Sequence, residues 1–178
     1  MPSKPELHVW DSCCVLGILN GEKDKLAALL SQTRFFEEGS AILGIPAVVI
    51  SELVELSDGT PAHDRVNEFL DNTYVETLQA TKDVALLSGK LQHRFDSRRM
   101  PELKANAIKA GVPSNQVIRL KRADSDVLAS ALHYKAKRLT TYDPFLIYLG
   151  HEFITPEYGV TIGPPEAEFL PFPDITDK

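Results

Sequence analysis

The sequence predicts an α/β protein: a parallel central sheet with helices on both faces. Three observations lead there. Short apolar or β-branched runs recur at residues 7–10, 41–45, 74–78 and 139–141, each bounded by turn or capping residues. The stretches between them repeat apolar residues at near-helical spacing. Carboxylates stand where apolar runs end, at Asp11 and Asp143, and ligands of open parallel sheets bind beyond the carboxyl ends of the strands.

Residues 7–10 precede a helix and read as the first, central strand. The run at 16–20 ends a short helix, with Gly21 as a glycine C-cap. Residues 23–36 carry Leu26, Leu29, Leu30 and Phe36 close to helical spacing, and Gly39 stops them. The run 41–45 is closed by Pro46, which suits the first turn of a helix over 47–56. Val49, Leu53 and Leu56 are expected to share the apolar side of that helix, with Glu52 against it. SDGTP at 57–61 is a turn, and Thr60 caps a helix through Leu70. Residues 74–78 have the β-branched and aromatic content of a strand. Thr81 caps a long helix to about Arg98 with Ala85, Leu86 and Leu91 inward. A short helix over 101–110 ends at Gly111, and 112–122 reads as a loop. Residues 124–137 give the clearest helix, with Leu128, Ala131, Leu132 and Lys135 at i, i+3, i+4 and i+7. Its basic last turn suits the negative end of the helix dipole. A strand over 139–141 follows, Pro144 opens a helix to Leu149, and 153–155 is expected as an edge strand. The organisation is therefore one domain over 1–155, with a basic helical insertion at about 92–122, and a proline-rich acidic tail over 156–178. The tail's EFLPFP segment is expected to pack on the body or on a partner.

Composition narrows the function classes. A 178-residue chain with 43% hydrophobic and 25% charged residues has the make-up of a soluble domain with a sizeable core. The net charge of −6 argues against a general nucleic-acid binder. The only two cysteines, Cys13 and Cys14, are adjacent, so neither a disulfide framework nor a zinc pair is available. They read as small buried residues at a helix start, and the expected compartment is the reducing cytoplasm. No apolar run approaches the length of a membrane span, and no secretory signal layout opens the chain.

The chemistry lies in four acids. Asp11 and Asp143 follow strands, while Glu52 and Asp124 sit in the first turns of helices. All four can face one edge of the sheet. Carboxylates packed together repel, and a hard divalent cation resolves the repulsion. Such a site suits attack of water on a phosphodiester. Each acid also has a plain structural reading: Asp124 as a helix N-cap, Asp143 as a turn former with Pro144, Glu52 as a rim residue. Asp126 is a fifth candidate ligand, but residues two apart on a helix point nearly opposite ways. Both therefore reach one metal only if Asp124 is the non-helical cap. Ser12 and Thr141 are either turn hydroxyls or groups that orient the carboxylates. The five histidines are scattered without ligand spacing. A phosphoacceptor receiver would need a second acid beside Asp11, where Trp10 and Ser12 stand instead.

Charge is unevenly spread. Residues 82–122 hold ten of the nineteen Lys and Arg against three acids, a local balance of +7 that leaves −13 elsewhere. Arg94, Arg98, Arg99, Lys104, Arg119, Lys121 and Arg122 are the candidates for contacting a phosphate-bearing backbone. A solvated helix face or an interface with an acidic partner would show the same balance.

Four segments in order, WDSCCVL, IPAVVISELVEL, ADSDVLASAL and RLTTYDPFL, resemble the PIN-domain ribonucleases of the VapC toxin type. The resemblance covers roughly residues 6–155 and maps the family's acids onto Asp11, Glu52, Asp124 and Asp143, with Ser12 and Thr141 as the accompanying hydroxyls. It implies a three-layer α/β/α fold, dependence on Mg²⁺ or Mn²⁺, and endonucleolytic cleavage of RNA. It also implies an antitoxin partner and a homodimer. The extra length around 92–122, the tail, and the acid at Asp126 depart from a compact member. The alternative is a PIN-like RNA-binding or scaffold module with little catalysis.

Overall fold

The computed structural model describes residues 5–96, 98, 100–117 and 120–165. Its first strand, β1 (Glu6–Trp10), runs into helices α1 (Ser12–Leu19) and α2 (Lys23–Glu37). Strand β2 (Ala41–Pro46) leads to α3 (Ala47–Ser57) and α4 (Ala62–Leu70), and β3 (Val75–Leu78) to α5 (Lys82–Arg94), α6 (Pro101–Lys109) and α7 (Arg122–His133). Strand β4 (Arg138–Thr140) precedes α8 (Pro144–Leu149), a π-helical turn (Gly150–Ile154), α9 (Thr155–Tyr158) and β5 (Thr161–Gly163).

The sheet is wholly parallel in the order β3-β2-β1-β4-β5. From β1 the chain steps outward to β2 and β3, then crosses back over β1 to β4 and β5. Parallel crossovers are right-handed, so this reversal puts α1 to α4 on one face and α5 to α9 on the other. Side-chain packing agrees. Phe36 of α2 meets Trp10 of β1 edge-on at 5.8 Å, and Phe69 of α4 stacks on it at 6.4 Å. On the other face α7 packs against β2 and β4, with α5 against α7. Trp10 is fully buried, and its indole N–H donates to Gln32 Oε1 at 3.0 Å. The central strand is thereby pinned to α2 by a satisfied polar contact within the core. Among the described residues, no helix is long and apolar enough to cross a membrane.

Several local expectations are corrected. On α3 the buried row is Val49, Leu53 and Ser57, whereas Leu56 is 64% exposed. The helix leaves the core at its last turn, so an i, i+4 row is covered and its neighbour is not. On α5 the inward residues are Val84, Ser88 and Leu91, while Ala85 and Leu86 face solvent. Here a close approach to α7 decides the phase: the Ser88 and Ser125 hydroxyls meet at 2.8 Å, which larger side chains would prevent. The helix also stops at Arg94 rather than Arg98. Helix α7 begins two residues early, at Arg122, and ends at His133, because Lys135 adopts φ 56° and Ala136 N–H turns back to Ala131 O at 2.8 Å. The edge strand is Thr161–Gly163, whereas residues 153–155 are helical. Three residues of the proline-rich stretch thus complete the sheet, and the EFLPFP segment lies outside the described residues.

Gly150 lets the π-helical turn lie directly on β5. A Cβ built there would meet Ile162 Cβ at 2.5 Å, a branch point that cannot swing aside. We expect Gly150→Ala to destabilise the fold by about 1–3 kcal/mol, the usual cost of overpacking. Gly89→Ala on α5, where nothing lies within 4 Å of an added Cβ, should instead be neutral or slightly stabilising. Urea denaturation of the two variants checks the contrast.

Candidate active site

In this sheet the strand order reverses between β1 and β4, and their carboxyl ends flank the crevice where α/β folds bind ligands. Asp11 leaves β1 there as the N-cap of α1, with its own N–H bound to Thr140 O at 3.1 Å. Only 7% of it is exposed, so its carboxylate needs internal donors. It has them: Oδ1 accepts from Ser12 N–H at 2.8 Å, and Oδ2 accepts from the Thr141 hydroxyl at 2.9 Å and the Cys13 thiol at 3.4 Å. Thr141 in turn accepts from Asp143 N–H at 3.0 Å. Asp143 caps α8, its Oδ1 accepting from Phe145 and Leu146 N–H at 2.8 Å each. The hydroxyl of Thr141 therefore ties the two strand-end acids into one unit.

Glu52 and Asp124 approach from the flanking helices. Burial, then the Asp11 charge, push the Glu52 carboxyl up, while the neighbouring Ser12 hydroxyl and Lys121 oppose the rise. Asp124 is affected most: burial, then Asp143, then Asp11, raise its pKa to about 6, with Lys121 lowering it and Glu52 adding to the rise. Asp124 thus feels the charges of the other three, and Glu52 that of Asp11. Among the described residues, no three His, Cys, Asp or Glu side chains are already drawn together as a ready metal site.

Asp124 is not the helix cap. Lys121 holds that position, with extended backbone at φ −63° and ψ 160°, and Asp124 falls in the first helical turn. Asp126 lies two residues on, about 200° round the helix, where its carboxylate meets Arg122 at 4.0 Å. The geometry does not bring it to the other four acids. Of the basic candidates, Lys121 adjoins the acids. Lys104 is exposed on α6. Arg94 pairs with Glu157 at 2.7 Å, and Arg98 with Asp96 at 2.5 Å. Arg99 and Arg119 lie outside the described residues.

One participant was hidden in the sequence. Cys14 is buried as expected, its thiol donating to Thr140 O at 3.3 Å. Cys13 is only half-buried and reaches the Asp11 carboxylate. Its position two residues after Asp11, at the start of a helix that Asp11 caps, was the available signal. Beside it, Lys25 lies over the Tyr142 ring at 5.0 Å. A groove of about 740 Å³ opens at the opposite, amino ends of the strands, lined by Leu7, Leu132, Lys135, Lys137 and Tyr158 among others. It holds none of the four acids.

The raised carboxyl of Asp124 makes stability depend on pH. The folded chain holds that proton more tightly than the unfolded chain, so the contribution is complete below the ordinary value of 3.8 and is lost as pH rises through about 6. In metal-free protein, Asp124→Asn should be more stable than wild type by about 1–2 kcal/mol near neutral pH, after allowance for partial solvation. The gain should vanish towards about pH 3. Urea melts across this range in a chelator test it, and a gain that grows at low pH would contradict it.

No family model matches the chain, and no curated protein matches it in sequence. Solved structures do match. The structure of VapBC2 from Rickettsia felis, bound to a DNA fragment from their promoter, aligns over 88% of this chain and 96% of its own, at 13% identity and a TM-score of 0.54. VapC20 of Mycobacterium tuberculosis, a Sarcin-Ricin loop cleaving toxin, aligns over 76% of this chain and 89% of its own, at 12% identity and a TM-score of 0.46. DNA-bound VapBC of Salmonella typhimurium aligns over 88% and 96%, at 14% identity and a TM-score of 0.46. With its parallel sheet, strand order and flanking helices, the chain has the VapC-type PIN-domain fold.

Proposed function

We propose that this protein is a metal-dependent endoribonuclease that hydrolyses RNA phosphodiester bonds, acting as the toxin of a toxin–antitoxin pair. The observation that carries the reading is at the switch point: Thr141 ties Asp11 to Asp143, and burial, then the charges of Asp143, Asp11 and Glu52, raise the Asp124 carboxyl beside them. An all-oxygen donor set of this kind fits Mg²⁺ or Mn²⁺, which take carboxylates and keep waters. Such an ion, when bound, supplies water activation and neutralisation of the leaving oxygen.

The chain's own residues do the rest. Asp11, held by the sheet and by Thr141, is the fixed ligand, and Asp143 is fixed to it through the same hydroxyl. Ser12 orients Glu52 from the first turn of α1. Asp124 is held in the first turn of α7 beside Lys121, whose ammonium suits a phosphate oxygen at the site. Arg98, Arg99, Lys104, Arg119 and Arg122, with Arg94, are the proposed track for the RNA backbone beyond it. Asp126, turned towards Arg122, is left out of the proposed ligand set. The protein is proposed to act in the cytoplasm, as a homodimer, with an antitoxin covering the basic surface.

Asp11→Asn should abolish Mn²⁺-dependent cleavage of both structured and unstructured RNA while leaving thermal unfolding close to that of wild type. Asp124→Asn should also lose cleavage, and Asp126→Asn should retain most of it. Gel-based cleavage assays with and without EDTA check all three. Full activity of Asp11→Asn, or of wild type in EDTA, would overturn the proposal. Binding of RNA without any cleavage would point instead to a PIN-like binding or scaffold module.

A further inference from the structure

We infer that Cys13 is a positioning residue: its thiol is a second relay, parallel to the Thr141 hydroxyl, that locks the Asp11 carboxylate onto the turn carrying Asp143. The two relays share one design. The Thr141 hydroxyl accepts from Asp143 N–H at 3.0 Å and donates to Asp11 Oδ2 at 2.9 Å. The Cys13 thiol accepts from Tyr142 N–H at 3.4 Å and donates to the same Asp11 Oδ2 at 3.4 Å. Sulfur and hydroxyl oxygen lie 3.8 Å apart, side by side. Each takes a backbone donor from the turn after β4 and passes a hydrogen bond to the end of β1, so each spans the switch point.

The duplication has a physical purpose. A single hydroxyl fixes one direction of a carboxylate but leaves it free to swing about that bond. Two donors at one oxygen, with Ser12 N–H at the other, leave little rotation. Outer partners of this sort fix the ligand's orientation, and losing one commonly weakens metal binding by about 10–100-fold. Cys14 shows what the neighbouring thiol does without such a role: it is fully buried and donates to a strand carbonyl. Sulfur suits the relay because its longer bonds and larger radius reach both partners at 3.4 Å.

The inference rests on the metal-site reading for one of its two measurements and on geometry alone for the other. In the full-length, metal-free chain, amide exchange at Tyr142 is followed by NMR; Mn²⁺ affinity is measured by calorimetry. Cys13→Ala should speed Tyr142 exchange and weaken Mn²⁺ binding, each by about 10-fold. Cys13→Ser, whose hydroxyl can also accept and donate but reaches less far, should recover part of both losses. Unchanged Tyr142 exchange in Cys13→Ala, faster exchange with unchanged Mn²⁺ affinity, or a serine variant as impaired as the alanine would each overturn the relay. A wild-type chain that binds no Mn²⁺ defeats the metal reading, and the exchange measurement then decides the relay by itself.

Discussion

The arrangement at the switch point is organised around one buried carboxylate. Asp11 sits at the end of the central strand with almost no solvent contact, a position that an ion tolerates only when its oxygens are fully occupied by donors. The donors come from two places far apart in sequence: the first turn of α1 and the turn that follows β4. Satisfying Asp11 therefore requires β1 and β4 to be paired in register, as they are from His8–Arg138 to Trp10–Thr140. The same pairing opens the switch-point crevice. The register that pairs the two central strands is thus also the one that brings the Asp11 donors together.

The remaining acids are held by different means, and the differences explain their electrostatics. Three of the four stand at helix beginnings: Asp11 caps α1, Asp143 caps α8, and Asp124 lies in the first turn of α7. Helix N-termini favour negative charge and present free N–H groups. Asp11 and Asp143 make side-chain bonds to those groups, whereas Asp124 sits inside the turn beyond the Lys121 cap. It meets burial and its charged neighbours, with Lys121 the opposing cation, and its carboxyl is raised accordingly. Glu52, mid-helix, has the Ser12 hydroxyl in place of a helix end. Asp11 and Asp143 are thus bonded to the backbone just beyond the two central strand ends, whereas Glu52 and Asp124 stand on flanking helices.

Much of this was legible in the chain. The alternation of short apolar runs with helical spacing specified the α/β class, and the strand-end acids marked the carboxyl edge of the sheet. Elements whose signals are local came out in place: β1 before Asp11, Pro144 opening α8, Thr81 accepting from Val84 N–H as the cap of α5. Expectations that depended on which neighbour an element meets were less secure. The face of α5 was decided by Ser88 against Ser125, and the fifth strand by Gly150 admitting Ile162. Neither contact has a local sequence signature.

By itself the sequence determined which residues carry charge at the ends of strands and helices, because period and capping chemistry are properties of a few adjacent residues. Only the tertiary structure decided which of those charges meet. Asp124 and Asp126 are equivalent candidates on paper. The start of α7 at Arg122 makes both helical, and the two-residue separation then turns one towards Asp11 and Asp143 and the other towards Arg122. Likewise Cys13 and Cys14 read as the same residue twice. Capping by Asp11 sets the first turn of α1 so that one thiol reaches the carboxylate and the other enters the core. In both cases the phase of a helix, set by its first residue and its packing, separated neighbours that composition could not.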